Sequence, residues 1–349
     1  MPWWTNCREV EMKTLRVGVV GVGSMGERHC RVYQSLRGVH LAGVYDACWE
    51  RAHEVAARYE TVAFPTLEAL AAEVDAASIA TPTQTHAEVA IALIERGVAV
   101  LIEKPMAASA LEAMAICEAA RRHGVLVQVG HIERFNPVYT ELKVLLETVH
   151  PIGMVFRRLS PYAVSNQDAD VILDLMVHDL DLAMDLVGGP PSRLYPIGRQ
   201  IFSDAMDYAV LAMEFPGGEI ATLFASRVTE QKVRFIEITA AEAYIEADLL
   251  NKGITVYRYT IPVYTNDNQP VKYRQEGWME RIGIPMAEPL ALELQHFVDC
   301  VRTGRRPLVS EQDGLRTMQL AERIRLLLYH GLSPMSRLSR PPVPAEARP

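Results

Sequence analysis

Residues 15–26 read LRVGVVGVGSMG, an apolar, β-branched run that closes on Gly21-Val22-Gly23-Ser24-Met25-Gly26 and continues into GERHCRVYQSLRG, where apolar residues recur at helical spacing. A strand that turns through glycines into a helix is the opening unit of a dinucleotide-binding fold. The glycines allow the tight turn and let the backbone approach a pyrophosphate, while the helix N-terminus presents free N–H groups to it. Asp46 ends the next apolar run, VHLAGVYD at 39–46, 20 residues after Gly26. A carboxylate at that place accepts hydrogen bonds from the adenine ribose hydroxyls and repels a 2′-phosphate. The first arginine after Asp46 is Arg51, so the spacing predicts NAD rather than NADP. The competing reading makes the glycines mere punctuation between strand and helix, with Asp46 a solvated strand end.

Working outward, AASIATP at 76–82, VAVLIEKP at 98–105 and VLVQVG at 125–130 read as further strands, separated by segments such as SALEAMAICEAARRHG that keep helical spacing and close at glycine. This alternation predicts a doubly wound α/β Rossmann domain over 13–130. After about residue 150 the texture changes to alternating β-branched runs, MVFRRLS, MDYAVLAMEF, EIATLFASR, VRFIEITAAE, AYIEADLL and ITVYRYT. Strands then follow one another directly. Gly217 and Gly218 in FPGGEIATLF stand where a tight hairpin needs positive φ, so at least part of this sheet is antiparallel. Two helices follow, PLALELQHFVDCVRTG and EQDGLRTMQLAERIRLLLYHG, the second preceded by Ser310 and Asp313 at capping-box spacing. The second domain, α+β, is expected over 131–335, and the proline-rich 336–349 as a flexible tail. No internal repeat is found.

Composition narrows the function. The chain has 349 residues, 49% hydrophobic and 22% charged, with a formal net charge of −8, which is ordinary for a globular protein of two domains. No apolar run is long enough to span a bilayer and the N-terminal residues do not form a signal peptide, so the expectation is a cytoplasmic protein without membrane contact. Cys7, Cys30, Cys48, Cys117 and Cys300 are scattered and never spaced as C-x-x-C, so neither a disulfide framework nor a metal site is encoded. The acidic balance and the absence of a basic run argue against nucleic acid. A small molecule is the expected partner.

In such a fold ligands bind outside the carboxyl ends of the strands, which places ATPTQTH at 80–86 and Glu103-Lys104-Pro105 at the cofactor crevice. Lys104 terminates an apolar run, and an ammonium beside a nicotinamide cation is disposed to exchange its proton by like-charge repulsion and desolvation. The alternative is a Glu103 to Lys104 surface ion pair. In VILDLMVHDLDLAMDLVGG at 171–189, a helix apolar almost all round, Asp174, His178, Asp181 and Asp185 form one polar stripe. Buried groups of this kind need partners or a cavity. Asp174 and His178 are the pair assigned to chemistry. An imidazole titrating near neutrality suits removal of a hydroxyl proton, and Asp174 one turn earlier can orient it or grip a neighbouring hydroxyl; Asp181 and Asp185 read as supporting or structural. The competing reading is a polar helix interface with His178 satisfied in the core.

Taken together, VGVVGVGSMGERH, Asp46, ATPTQTH, EKP and D-x-x-x-H resemble the glucose-fructose oxidoreductase / inositol dehydrogenase (Gfo/Idh/MocA) family over roughly residues 14 to 330. The resemblance implies an N-terminal Rossmann domain, a C-terminal domain with an open, mostly antiparallel sheet that often mediates dimers or tetramers, and NAD-linked chemistry on sugars, inositols or sugar nucleotides. It assigns catalysis to Lys104, Asp174 and His178. Cofactor binding falls to Gly21, Gly23, Ser24, Met25, Gly26, Asp46, Thr81, Pro82, His86, Glu103 and Lys104. Departures from the family pattern are Thr83 where asparagine is common, Met176 where glycine is common between the aspartate and the histidine, and DADVI in place of a glycine run. Within the family, VGHIERFNP at 129–137 with ILDLMVHDLDL is similar to the branch acting on C3 of a UDP-N-acetylhexosamine. Arg134 and Asn136 then read as substrate residues beside Lys104, Asp174 and His178, the guanidinium for a diphosphate and the amide for sugar hydroxyls or an acetamido group; the alternative pairs Arg134 with Glu133. Arg157, Arg158, Arg227 and Arg234 are further diphosphate candidates. The competing functions are an inositol or free-sugar dehydrogenase and a non-catalytic NAD- and sugar-binding regulator.

Overall fold

The computed structural model describes residues 14–162, 170–259 and 277–330. Cys7 and the expected tail at 336–349 lie outside the described residues. Strands β1 (Leu15–Val20), β2 (Val39–Tyr45), β3 (Val62–Ala63), β4 (Ala76–Ile79), β5 (Ala99–Glu103) and β6 (Val127–Gly130) alternate with helices α1 (Ser24–Ser35), α2 (Trp49–Arg58), α3 (Leu67–Ala71), α4 (His86–Ile94) and α5 (Ala110–His123). They make one parallel sheet in the order β3-β2-β1-β4-β5-β6, the doubly wound topology. Every residue of β4 and β6 is buried, as helices on both faces require. Helix α5 shows how local chemistry sets the ends. The Ser109 hydroxyl accepts the Glu112 N–H at 3.2 Å, the Glu112 carboxylate accepts the Ala108 N–H at 3.0 Å, and Gly124 closes the helix at φ 65°.

The strands expected in this sheet are all shorter than their apolar runs. β4 stops at Ile79 and β5 at Glu103, so Thr81, Pro82, Lys104 and Pro105 belong to loops at the carboxyl edge. β3 carries no readable period, having two residues.

The second sheet follows α6 (Pro137–Leu145). It contains β7 (Pro151–Leu159), then, after α7 (Val177–Val187), β8 (Arg193–Arg199), β9 (Tyr208–Glu214), β10 (Ile220–Ser226), β11 (Val233–Ala240), β12 (Ala243–Asp248), β13 (Gly253–Tyr259) and β14 (Gly277–Gly283). The order is β14-β13-β12-β11-β7-β10-β9-β8, antiparallel except for β7 with β10. One face carries Met154, Phe156, Leu211, Leu223, Ile236 and Ile245 into a core shared with Leu142, Leu180 and Ile324. The other face is half open, as an antiparallel sheet allows. The two strands that sequence patterning missed, β8 and β14, are the edges, where few side chains are buried and alternation fades. The hairpin from β9 to β10 forms as expected, but only Gly218 has positive φ, at 97°. Five residues separate the strands, and the Phe215 N–H donates to Glu219 O at 2.9 Å, so the turn is wider than a two-residue one.

Helices α8 (Pro289–Thr303) and α9 (Glu311–His330) end the described chain. The compact units are not a simple split at residue 130. Leu290–Leu315 belongs with the first unit, and His131–Pro289 with the residues from Arg316 onward forms the second. The expected domain at 131–335 therefore loses α8 and the start of α9. The reason is the edge of the first sheet: Val129 N–H donates to Val309 O at 3.0 Å, Gln128 bridges Ser310 antiparallel, and Gln128 Nε2 donates to Glu293 O at 3.3 Å. The returning segment covers a strand whose backbone would otherwise be unpaired.

Candidate functional site

In the first unit, Gly21 (φ 80°) ends β1 and α1 begins at Ser24 with no side-chain cap on its first N–H groups. The glycines differ in purpose. A Cβ at Gly26 would stand 1.9 Å from Gly21 O, so that position closes the turn, whereas a Cβ at Gly23 would meet nothing within 4 Å and points to open space. Backbone N–H groups and a bare glycine surface facing outward are what a pyrophosphate requires. Asp46 holds the loop with one oxygen on Val22 N–H at 2.7 Å and the other on Cys48 N–H at 2.8 Å, leaving lone pairs for ribose hydroxyls. Arg51 is no phosphate ligand. Its Nε donates to Val22 O at 2.9 Å and its other nitrogens pair with Glu27 at 2.5 Å and Glu54 at 2.9 Å.

A cavity of about 910 Å³ opens at the carboxyl ends of β1, β2 and β4, lined among others by Gly21, Gly23, Asp46, Thr81, Pro82 and Val89. Carboxylates from Asp46, Glu68 and Glu88 are on its walls, and they oppose a 2′-phosphate. These residues fit NAD. Six of the expected cofactor residues do not line this cavity: Ser24, Met25 and Gly26 form the first turn of α1, Glu103 ends β5 with Lys104 just beyond it, and His86 is a buried strap whose ring nitrogens lie 2.9 Å from Thr81 O and 2.9 Å from Pro105 O. Burial holds its imidazole below the ordinary range against those two carbonyls. Thr81 and the EKP turn are thereby tied together. The Glu103 carboxylate lies 3.0 Å from His29 Nε2 and accepts the Lys104 N–H at 3.2 Å, while Lys104 itself is half-buried.

In the second unit the expected single helix at 171–189 begins as a π turn at Ile172–Met176 before α7. Such turns recur at functional sites, and this one contains Asp174. Asp170 fixes its entry, accepting Leu173 N–H at 3.1 Å and Arg325 Nε at 2.6 Å. Asp174 and His178 are both half-buried. The rest of the stripe turns away from chemistry. Asp181 takes a two-point contact from Arg134 at 2.6 and 3.1 Å, and Asp185 meets Arg134, Lys143 at 2.8 Å and Tyr139 at 2.5 Å. Burial raises the Asp185 carboxyl, but Arg134, Lys143 and Tyr139 together hold it below the ordinary range.

Arg134 and Asn136 are thus engaged inside the unit. Asn136 caps α6, its oxygen accepting Val138 N–H at 3.1 Å while its amide donates to Glu133 at 3.1 Å and Leu249 O at 3.2 Å. The other arginines are engaged as well: Arg157 with Glu237 and the Phe235 ring, Arg158 with Asp179 and Glu133, Arg227 with Asp207, and Arg234 with Leu159 O, Val233 O and Ser160 Oγ.

Sequence reading missed the Arg158 network. Arg158 grips Asp179 through Nε and Nη2 (2.7–3.0 Å) and Glu133 through Nη1 at 2.8 Å. Burial raises the Asp179 carboxyl above its usual range despite Arg158; for Glu133 burial is outweighed by Arg158, Asn136 and Arg234, and its carboxyl is lowered. Burial and the like charge of Arg158 bring Arg234 down to about 10. A signal was present: two-residue alternation along Met154, Phe156 and Arg158 puts this arginine on the core face, where it demands carboxylates. Asp179 escaped notice because it lies off the stripe.

Residues 15–131 match the family described as "Oxidoreductase family, NAD-binding Rossmann fold", and residues 153–246 the "GFO/IDH/MocA C-terminal domain". The chain is 34% identical over 315 residues to UDP-N-acetylglucosamine 3-dehydrogenase of Acidithiobacillus ferrooxidans, covering 89% of this chain and 96% of the relative. It is 26% identical over 332 residues to scyllo-inositol 2-dehydrogenase (NAD(+)) of Bacillus subtilis, covering 88% and 92%. A solved structure of the Acidithiobacillus enzyme superposes with a TM-score of 0.83 over 91% of this chain and 99% of that one. No helix among the described residues is long and apolar enough to cross a membrane. With matches in both halves and a relative of this identity along most of its length, the chain belongs to the Gfo/Idh/MocA family and is an NAD-dependent oxidoreductase.

Proposed function

We propose that the protein oxidises the C3 hydroxyl of a UDP-N-acetylhexosamine to the 3-keto sugar, with NAD as hydride acceptor. The observation that carries this reading is the 34% identity, sustained over 96% of its length, to a UDP-N-acetylglucosamine 3-dehydrogenase. Bound NAD supplies an electrophilic nicotinamide carbon for the hydride. The chain's own residues manage the proton that the hydroxyl loses: His178 and Lys104 accept it and pass it on, and Asp174 orients the imidazole or grips a neighbouring hydroxyl. Arg134 and Asn136 serve substrate binding by fixing the 131–137 segment, because their polar atoms already hold Asp181, Asp185, Glu133 and Leu249 O.

The competing substrate class is a polyol or free sugar, favoured by the scyllo-inositol 2-dehydrogenase relative. A second copy of the chain is proposed to cover the open face of the second sheet, where Ile197, Val210, Phe224 and Phe235 present half-buried or exposed apolar surface. The free thiols of Cys30, Cys48, Cys117 and Cys300 suit the cytoplasm.

The test is NADH formation with UDP-GlcNAc, UDP-GalNAc, myo-inositol and glucose. Turnover confined to UDP sugars supports the proposal, and turnover confined to inositol or glucose overturns it. Lys104→Ala and His178→Ala should each lower kcat by about 10²–10⁴-fold with NAD binding retained; full activity in both would remove these residues from the reaction.

A further inference from the structure

Behind the turn that carries Lys104, the first unit buries polar side chains to which the reaction above gives no task. Glu293 on α8 is 0% exposed, and neither of its carboxyl oxygens has a hydrogen-bond partner among the described residues. Beside it, Gln128 of β6 donates to the Glu293 backbone, while its own Oε1 is buried and unpartnered. On α1, His29 gives Nε2 to Glu103 at 3.0 Å and keeps a buried, unpartnered Nδ1. The titratable groups that face Glu293 are Glu103 at the end of β5 and Tyr33 on α1, the latter hydrogen-bonded to Ser78 at 2.7 Å.

Two carboxyls sharing a dry interior do not both ionise. Glu103 has the imidazole and the Lys104 N–H as partners and a side chain 12% exposed to water; Glu293 has none of these. Burial and the charge of Glu103 both push the Glu293 carboxyl upward. An acid there still needs an acceptor, and His29 Nδ1 and the Gln128 carbonyl oxygen are likewise buried without a hydrogen-bond partner among the described residues. Buried polar atoms left over in this way are commonly bridged by internal water.

We propose that Glu293 is a positioning residue that carries its proton at neutral pH and, through water shared with Gln128 and His29, steadies Glu103 and the turn bearing Lys104. The catalytic part rests on the assignment of Lys104 above; the buried proton does not.

Infrared difference spectra of the wild type against Glu293→Gln read the proton directly. At neutral pH the wild type should show the carbonyl band of a protonated carboxyl that the glutamine variant lacks. Unfolding measured against pH gives a second readout. The folded acid retains a proton that the unfolded chain releases, so the unfolding constant of the wild type should rise relative to Glu293→Gln by about tenfold per pH unit above the ordinary glutamate range. Kinetically, Glu293→Gln should keep kcat within about twofold and Glu293→Leu should lose about tenfold or more, with KM for NAD unchanged in both. Absence of the acid band, a pH-independent difference in unfolding, or equal kcat losses in both variants would overturn the proposal. Unchanged kcat in Glu293→Leu while Lys104→Ala is inactive would overturn the positioning role, whereas an active Lys104→Ala would sink the catalytic reading alone. If the leucine variant does not fold, the spectrum and the pH slope of Glu293→Gln decide.

Discussion

Replacing Arg134 with leucine separates two roles that its sequence context allows, contact with a substrate diphosphate and support of the second unit. The guanidinium is 5% exposed and faces Asp181, whose side chain is 2% exposed, with Asp185 as a further partner. Asp185 retains Lys143 and Tyr139 when Arg134 is lost, but Asp181 loses both of its contacts from this arginine. Removing one member of a buried pair costs about 3–5 kcal/mol, because the other is left charged and desolvated. At about 2–4 °C per kcal/mol for a unit of this size, the thermal midpoint should drop by about 6–20 °C. Asp181→Asn alone should cost less, since Arg134 keeps Asp185. The double variant should be less damaged than the sum of the singles, by a coupling of about 0.5–3 kcal/mol. Thermal and urea unfolding of the three variants, with KM for NAD and for the UDP sugar measured on each, give the answer. An Arg134→Leu protein with an unchanged midpoint and a raised KM for the sugar nucleotide alone would refute the structural role and restore the diphosphate contact.

The two glycines of the cofactor loop should part company: Gly23→Ala should leave the unfolding midpoint within about 0.5 kcal/mol of wild type while weakening NAD binding, because its Cβ meets open space, whereas Gly26→Ala should damage folding and binding together. Calorimetric titration with NAD beside thermal unfolding reads both. Asp46→Ala removes the acceptor of two loop N–H groups and should raise KM for NAD by about tenfold or more; NADP should still not become the preferred cofactor while Arg51 is held by Glu27 and Glu54, and a variant that prefers NADP would contradict this. His86 is held neutral in the folded state, so the unfolded chain takes up its proton first and stability should fall as pH drops through about 6.5, by at most about 1.4 kcal/mol per pH unit from this group. Urea midpoints across that range should slope less in His86→Gln, and equal slopes would show that another group titrates.

Much of the first unit was legible because its rules are local. The turn at Gly21 to Gly26, the carboxylate 20 residues on and the apolar runs that end at the carboxyl edge are set by neighbours in the chain, and so is the cap at Ser109. The alternating runs of β7 and β9 to β13 announced a second sheet with one buried face, while its edges β8 and β14 bury too little to leave a pattern.

What sequence alone determined is therefore the fold class, the cofactor and the family, resting on short motifs whose local geometry follows from glycine conformations and side-chain periodicity. Tertiary structure alone decided which charges meet. Arg134 lies 47 residues from Asp181, and Arg158 reaches both Asp179 and Glu133; α8 returns to seal the edge of the first sheet and brings Glu293 beside Glu103. An ion pair or a buried acid is defined by distance and by exclusion of water, and neither quantity exists until the chain has folded.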